Sequence, residues 1–89
     1  MISIHPHFSI KDRKMDECIA LLEEILVVKK DNEPNWLFFN ITTCGWDKAY
    51  VREAYKDGAA FSFHLKNMGH MLSKLFEVSD TTIQVKGPA

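Results

Sequence analysis

Long apolar runs, clustered glycines, paired cysteines and an excess of one charge are all missing from this 89-residue chain. Each absence removes a class of function. No stretch approaches the roughly 20 apolar residues of a bilayer-spanning helix, and the N-terminal MISIHPH lacks the basic start and long apolar core of a signal peptide. A cytoplasmic protein without membrane partners is expected. Lys and Arg number 11 against 12 Asp and Glu, so there is no basic field for a phosphate backbone and nucleic acid is not an expected partner. The glycines at 45, 58, 69 and 87 stand singly and form no phosphate-cradling loop. Cys18 and Cys44 make no CxxC pair, which fits free thiols in a reducing compartment.

What is present reads as one domain over residues 1–89, small enough that its stability as a lone monomer is an open question. Its organising stretch is VREAYKDGAAFSFHLKNMGHMLSKLF, residues 51–76. A β-type run breaks at Asp57-Gly58 into a helical pattern, with Phe61, Leu65, Met68, Leu72, Leu75 and Phe76 recurring at three- and four-residue steps. Asp57 is placed to cap that helix, since its carboxylate can accept from the free amides of the first turn. His64 falls one turn after Ala60 and one turn before Met68, on the buried stripe, while Lys66 and Ser73 fall on the wet face.

Upstream, Ile2, Ile4, Phe8 and Ile10 alternate with Ser3, His5, His7 and Ser9, the period of a half-buried strand. Pro6 removes one ladder donor there, which predicts a bulge or an unpaired edge. Met15, Cys18, Ile19, Leu22, Ile25 and Leu26 trace a helical stripe that should end near Lys29-Lys30, before Pro34. WLFFNITT, residues 36–43, is apolar on both parities, with Trp36 and Phe38 on one and Leu37, Phe39 and Ile41 on the other. Cys44-Gly45-Trp46-Asp47 then turns it back onto residues 48–55 as a hairpin. Gly69 predicts a kink or a two-piece second helix, ending near Glu77. Residues 81–86 alternate once more, with Ile83 and Val85 on one face, before Gly87-Pro88-Ala89.

The order β-α-β-β-α-β is the α+β, ferredoxin-like plan, an antiparallel sheet with both helices on one face. Two helices cover one side only. Apolar residues on both parities of the second strand therefore predict burial of the opposite face against a second copy, hence a homodimer.

Several short motifs bear on identity. Glu53-Ala54-Tyr55-Lys56-Asp57, with Ala60-Phe61 and His64-Leu65, resembles the strand-to-helix segment E-x-[WY]-x-D-x-x-A-[LF]-x-x-H-L of the antibiotic biosynthesis monooxygenase-like (quinol monooxygenase-like) family of dimeric α+β barrels. Glu33-Pro34, with Leu37 and Phe38, resembles that family's E-P-G-x-x-x-[YF] lead-in to the second strand, and Phe8-x-Ile10-Lys11 with Lys14 the end of its first. Asn35 stands where the family usually has glycine, a mild change because asparagine tolerates positive φ. Tyr55 replaces a frequent tryptophan.

The resemblance implies a cofactor-independent monooxygenase acting on a small aromatic substrate such as a quinol, a phenol or a polyketide. In such an oxidoreductase an apolar pocket binds the substrate, a base removes a proton, and the anion itself reduces oxygen. The alternative is a non-catalytic dimeric barrel that binds a small apolar ligand or serves as an interaction domain, because fold does not settle chemistry. For catalysis the candidates are His64 as base, with Tyr55 and Glu53 on the adjoining strand face. The plainer readings are a core histidine satisfied by a carbonyl, a packed tyrosine and an ion-paired glutamate. Trp36, Phe38, Phe61 and Met68 are the expected pocket lining, or else plain core. No cofactor and no metal are expected. His5-x-His7 shares a strand face but shows no third ligand, and Ser73 and Lys74 stand where haem-degrading relatives carry a histidine.

Overall fold

The computed structural model describes residues 1–33 and 35–87. Pro34, read above as a helix stop and as part of the lead-in motif, and the terminal Pro88-Ala89 lie outside the described residues. The elements are β1 (Ile2–Ile10), α1 (Met15–Asn32), β2 (Trp36–Cys44), β3 (Lys48–Tyr55), α2 (Gly58–Val78) and β4 (Ser79–Lys86). They build one four-stranded antiparallel sheet in the order β2-β3-β1-β4. This is the expected ferredoxin-like plan.

Side chains from α1, α2 and one sheet face form the main core, with Ile4, Tyr55 and Ala60 as a smaller cluster beside it. Cys18, Leu22 and Ile25 of α1 meet Met68, Met71 and Leu75 of α2 over Phe8, Phe39 and Val51. Tertiary burial at this density outweighs local propensity, and α2 demonstrates it. The helix runs as one piece through Gly69, correcting the expected two-piece alternative. Gly69 is exposed, and the buried Met68 and Met71 beside it hold the turn against a cost of about 1 kcal/mol. Asp57 caps α2 as expected, its carboxylate accepting from Ala60 N–H at 2.9 Å.

Of the bulge or unpaired edge expected at Pro6, the second occurs, on the β3 side only, and there is no bulge. The β1–β3 register is the same on both sides of it, from Ile4↔Glu53 to His7↔Tyr50, with pairing absent only at residues 5 and 6. The irregularity lies instead in β2, between Trp36 and Phe38. That extra residue turns Trp36 onto the helix side, opposite Tyr55, while Phe38 stays on the open sheet face near the Arg52 guanidinium, 5.8 Å from the ring centroid. Apolar character on both parities of β2 thus arises partly from a bulge. Asn35, just before it, adopts φ 65°, the conformation for which glycine is favoured. No helix among the described residues is long and apolar enough to cross a membrane.

Candidate active site

The stripe of α1 that carries Cys18, Leu22 and Ile25 continues at the same spacing to Lys29 and, one turn further, to Glu33 at the helix C-cap. Both are sealed in the interior, with Lys29 0% and Glu33 7% exposed. The alternation of β3 puts Glu53 and Tyr55 on the same helix-covered face, and α2 brings in His64 from above. Five polar side chains therefore meet where an apolar core would otherwise close.

Their hydrogen bonds form one connected set. Glu33 accepts from Asn67 Nδ2 at 3.0 Å and from Lys29 Nζ at 3.2 Å. His64 Nδ1 lies 3.0 and 3.2 Å from the two Glu33 oxygens, which assigns the imidazole proton to Nδ1 and a lone pair to Nε2. The ammonium of Lys29, 3.4 Å from Nδ1, is then a neighbouring donor and no partner of that nitrogen. Lys29 also donates to Tyr55 Oη, whose hydroxyl donates to Glu53 Oε1 at 2.5 Å. The ammonium lies 4.0 Å from the Tyr55 ring centroid, a cation–π contact that partly replaces lost hydration.

Burial sets the protonation states. It pushes Tyr55 strongly upward, reinforced by the Glu53 carboxylate, so the phenol stays a donor. Burial likewise raises Glu53 above the usual carboxylate range despite the Tyr55 hydroxyl and the Lys29 ammonium. For Glu33 burial also acts upward, but the Asn67 amide, His64 and Lys29 together outweigh it and hold the group below its ordinary value. Burial lowers His64, with Lys29 adding to the effect against the pull of Glu33; Lys29 itself is lowered by burial against the pull of both glutamates. The resulting set is a neutral imidazole, an ionised Glu33 paired with Lys29, and a Glu53 that holds its proton more tightly than a free carboxylate.

Two atoms of this set make no hydrogen bond among the described residues: Nε2 of His64, 3.6 Å from Glu53 Oε1, and Oε2 of Glu53. No unpartnered buried side-chain nitrogen or oxygen occurs among the described residues, so both atoms reach open space. That space is a cleft of about 220 Å³ between α2 and the β1–β4 side of the sheet, with His64 and Glu53 at its floor and Phe61, Leu65, Phe76, Pro6 and Ile83 among its walls. A narrower apolar extension of about 40 Å³ runs inward past Phe8, Val51 and Leu75. The arrangement is an acid–base pair facing an apolar chamber, suited to removing a proton from a weakly acidic ligand.

The candidates from sequence are thereby sorted. His64, Glu53 and Phe61 line the cleft. Tyr55 is wholly buried behind Glu53 and acts through it. Trp36 packs near Lys29, 5.5 Å from its ammonium, and Met68 is in the core, while Phe38 is across the sheet; none of these three lines the cleft. Lys29 and Glu33 went unrecognised as site residues, although their i+4 continuation of the α1 stripe was the available signal. His5 and His7 sit on the open face, His7 edge-on to Tyr50. No group of three His, Cys, Asp or Glu side chains that could hold a metal ion occurs among the described residues.

Solved structures supply the comparison. An antibiotic biosynthesis monooxygenase superposes with a TM-score of 0.82 over 100% of this chain and 99% of its own, at 20% identity. The chain has the antibiotic biosynthesis monooxygenase fold. MupZ from Pseudomonas fluorescens is 25% identical, with a TM-score of 0.85 over 98% of this chain and 67% of that one. A provisionally assigned antibiotic biosynthesis monooxygenase from Caulobacter crescentus CB15 gives 0.86 at 16% identity, over 99% and 89%. No family model and no curated protein matches the chain.

Proposed function

We propose that the cleft oxidises a small ionisable aromatic, a phenol, quinol or polyketide-like hydroxyarene, with dioxygen and without metal or flavin, His64 being the proton acceptor. The observation that carries this reading is the free Nε2 of a neutral imidazole, fixed from behind by Glu33 and facing an apolar chamber. The fold shared with proteins described as monooxygenases supports it at the level of architecture only.

In this mechanism Nε2 takes the hydroxyl proton of the substrate. The aryloxide, desolvated by the cleft walls, gives an electron to dioxygen, and recombination forms a carbon–oxygen bond at the ring. The proton held on His64 passes to the peroxide oxygen. Loss of water, which carries away one oxygen atom and the ring hydrogen, leaves the second oxygen as a quinone carbonyl. A phenol and one dioxygen thus become a quinone and one water. Glu53, held in place by the Tyr55 hydroxyl, stands beside His64 on the cleft floor and positions the substrate oxygen.

The test is oxygen uptake by the purified protein with a panel of quinols and hydroxynaphthalenes. His64→Ala is expected to lower turnover by about 10²-fold or more, the scale of a general base, without loss of folded structure. Absence of uptake across the panel, or turnover that survives His64→Ala, overturns the proposal and leaves a non-catalytic ligand-binding barrel.

A further inference from the structure

The cleft does not end at its walls. Beyond Ile83, at 51% exposure, β4 presents Val85 at 58% on the same face, and α2 presents Leu65 at 44% and Phe76 at 51% on the facing side. Ile83 pairs with Pro6 and Val85 with the buried Ile4, so both point to the helix-covered side of the sheet. They are uncovered because β4 is the sheet edge and α2 lies inward of it. Four large apolar side chains at or near half exposure, continuous with the cleft over an acid–base pair, form more than the scattered surface apolar residues of an ordinary protein.

Their geometry is that of a gutter. Glu53, Ile4 and Val85 lie in one row across three neighbouring strands, so the step from the reactive carboxyl to the outer strand is about 10 Å. The chamber of about 220 Å³ is itself smaller than the roughly 300 Å³ at which drug-sized pockets begin. A chamber of that size suits a single ring, and this strip is its apolar continuation toward solvent. The open sheet face, where a second copy is expected to pack, is the opposite one and does not cover it.

We propose that the substrate is amphipathic: a hydroxylated ring enters the cleft, and an alkyl or acyl tail lies outward between Ile83 and Val85 of β4 and Leu65 and Phe76 of α2. This rests on the cleft being the reactive site proposed above, and it narrows the substrate class from any small phenol to phenols or quinols with an apolar chain. The strip is a specificity surface, contributing affinity in proportion to the chain buried on it, up to about fourfold per fully buried methylene.

Calorimetric titration with 4-methylphenol, 4-hexylphenol and 4-octylphenol tests it, with oxygen uptake followed separately. Affinity is expected to rise about tenfold or more from the methyl to the octyl compound. Val85→Ser, which lies on the strip but outside the cleft walls, should cut the affinity for 4-octylphenol about threefold or more while leaving 4-methylphenol binding within about twofold. Equal affinity for all three in the native chain, no binding by any, or an equal loss for all three in the variant overturns the proposal. A variant that changes only the oligomeric state overturns it too, and assigns the strip to a second copy. Chain-length-dependent binding without oxygen uptake keeps the gutter and sinks the oxygenase reading. Turnover indifferent to chain length does the reverse.

Discussion

Nδ1 of His64 lies 3.0 Å from Oε1 of Glu33, thirty-one residues upstream, and this one contact decides which imidazole nitrogen faces the cleft. A carboxylate behind a histidine fixes the tautomer and steadies the imidazolium formed when the other nitrogen takes a proton. Glu33→Gln offers an amide in place of that carboxylate, and turnover should fall on the order of 10²-fold with the circular dichroism spectrum unchanged. Full activity in this variant would show that Glu33 is only a partner for Lys29.

Lys29 presents the opposite balance, since it lies away from the cleft and pairs with Glu33 behind His64. Removing one member of a buried ion pair strands the other, at a cost of about 3–5 kcal/mol. Lys29→Met should destabilise the fold by that amount in urea unfolding. Lys29→Met/Glu33→Gln should lose clearly less than the two single losses together, because the stranded carboxylate is gone. Simple additivity would mean that the two residues are energetically independent despite their 3.2 Å contact.

Acid titration separates His64 from Glu53 by sign. The folded imidazole binds its proton less readily than the free one, whose ordinary value is 6.5. Its stabilising contribution is therefore complete above that pH and is lost as pH falls through the lower folded value. Glu53, raised from 4.5, stabilises fully below that value and loses its contribution as pH rises through the folded one. Because Glu53 acts in the opposite sense, the comparison is with His64→Gln: as pH falls below 6.5 the native chain should lose stability relative to that variant. The acid limb of the activity profile should also lie below pH 6.5, and a limb above it would contradict a depressed imidazole.

The open sheet face carries Phe38, Tyr50, Arg52, His5 and His7. A sheet-to-sheet homodimer burying about 800 Å² per chain is expected. Sedimentation at micromolar concentration should give a dimer, and Arg52→Glu/Tyr50→Glu a monomer. A native chain that sediments only as monomer would end this expectation.

The fold was legible because its signals are local: alternation in the strands, a three-four stripe in each helix, an aspartate at the α2 cap. His64 was legible for the same reason. Lys29 and Glu33 were not, because a lysine near a helix C-terminus has a ready explanation in the helix dipole, and only the distant Tyr55 and His64 reveal that it points inward. Trp36 and Phe38 were misplaced by the one feature that alternation cannot register, an inserted residue that reverses the faces on one side of it.

The five polar groups at the site come from the end of α1, from β3 and from the first half of α2, and the two from α1 stand twenty residues or more along the chain from the other three. Until all three segments dock, every one of these groups is better served by water than by its eventual partners. Their dehydration therefore belongs to the last stage of folding, after the sheet and helices have met, and substitutions among them should speed unfolding while leaving the folding rate nearly unchanged. The polar cluster behind the cleft is thereby also the latch that sets how long the native chain stays closed.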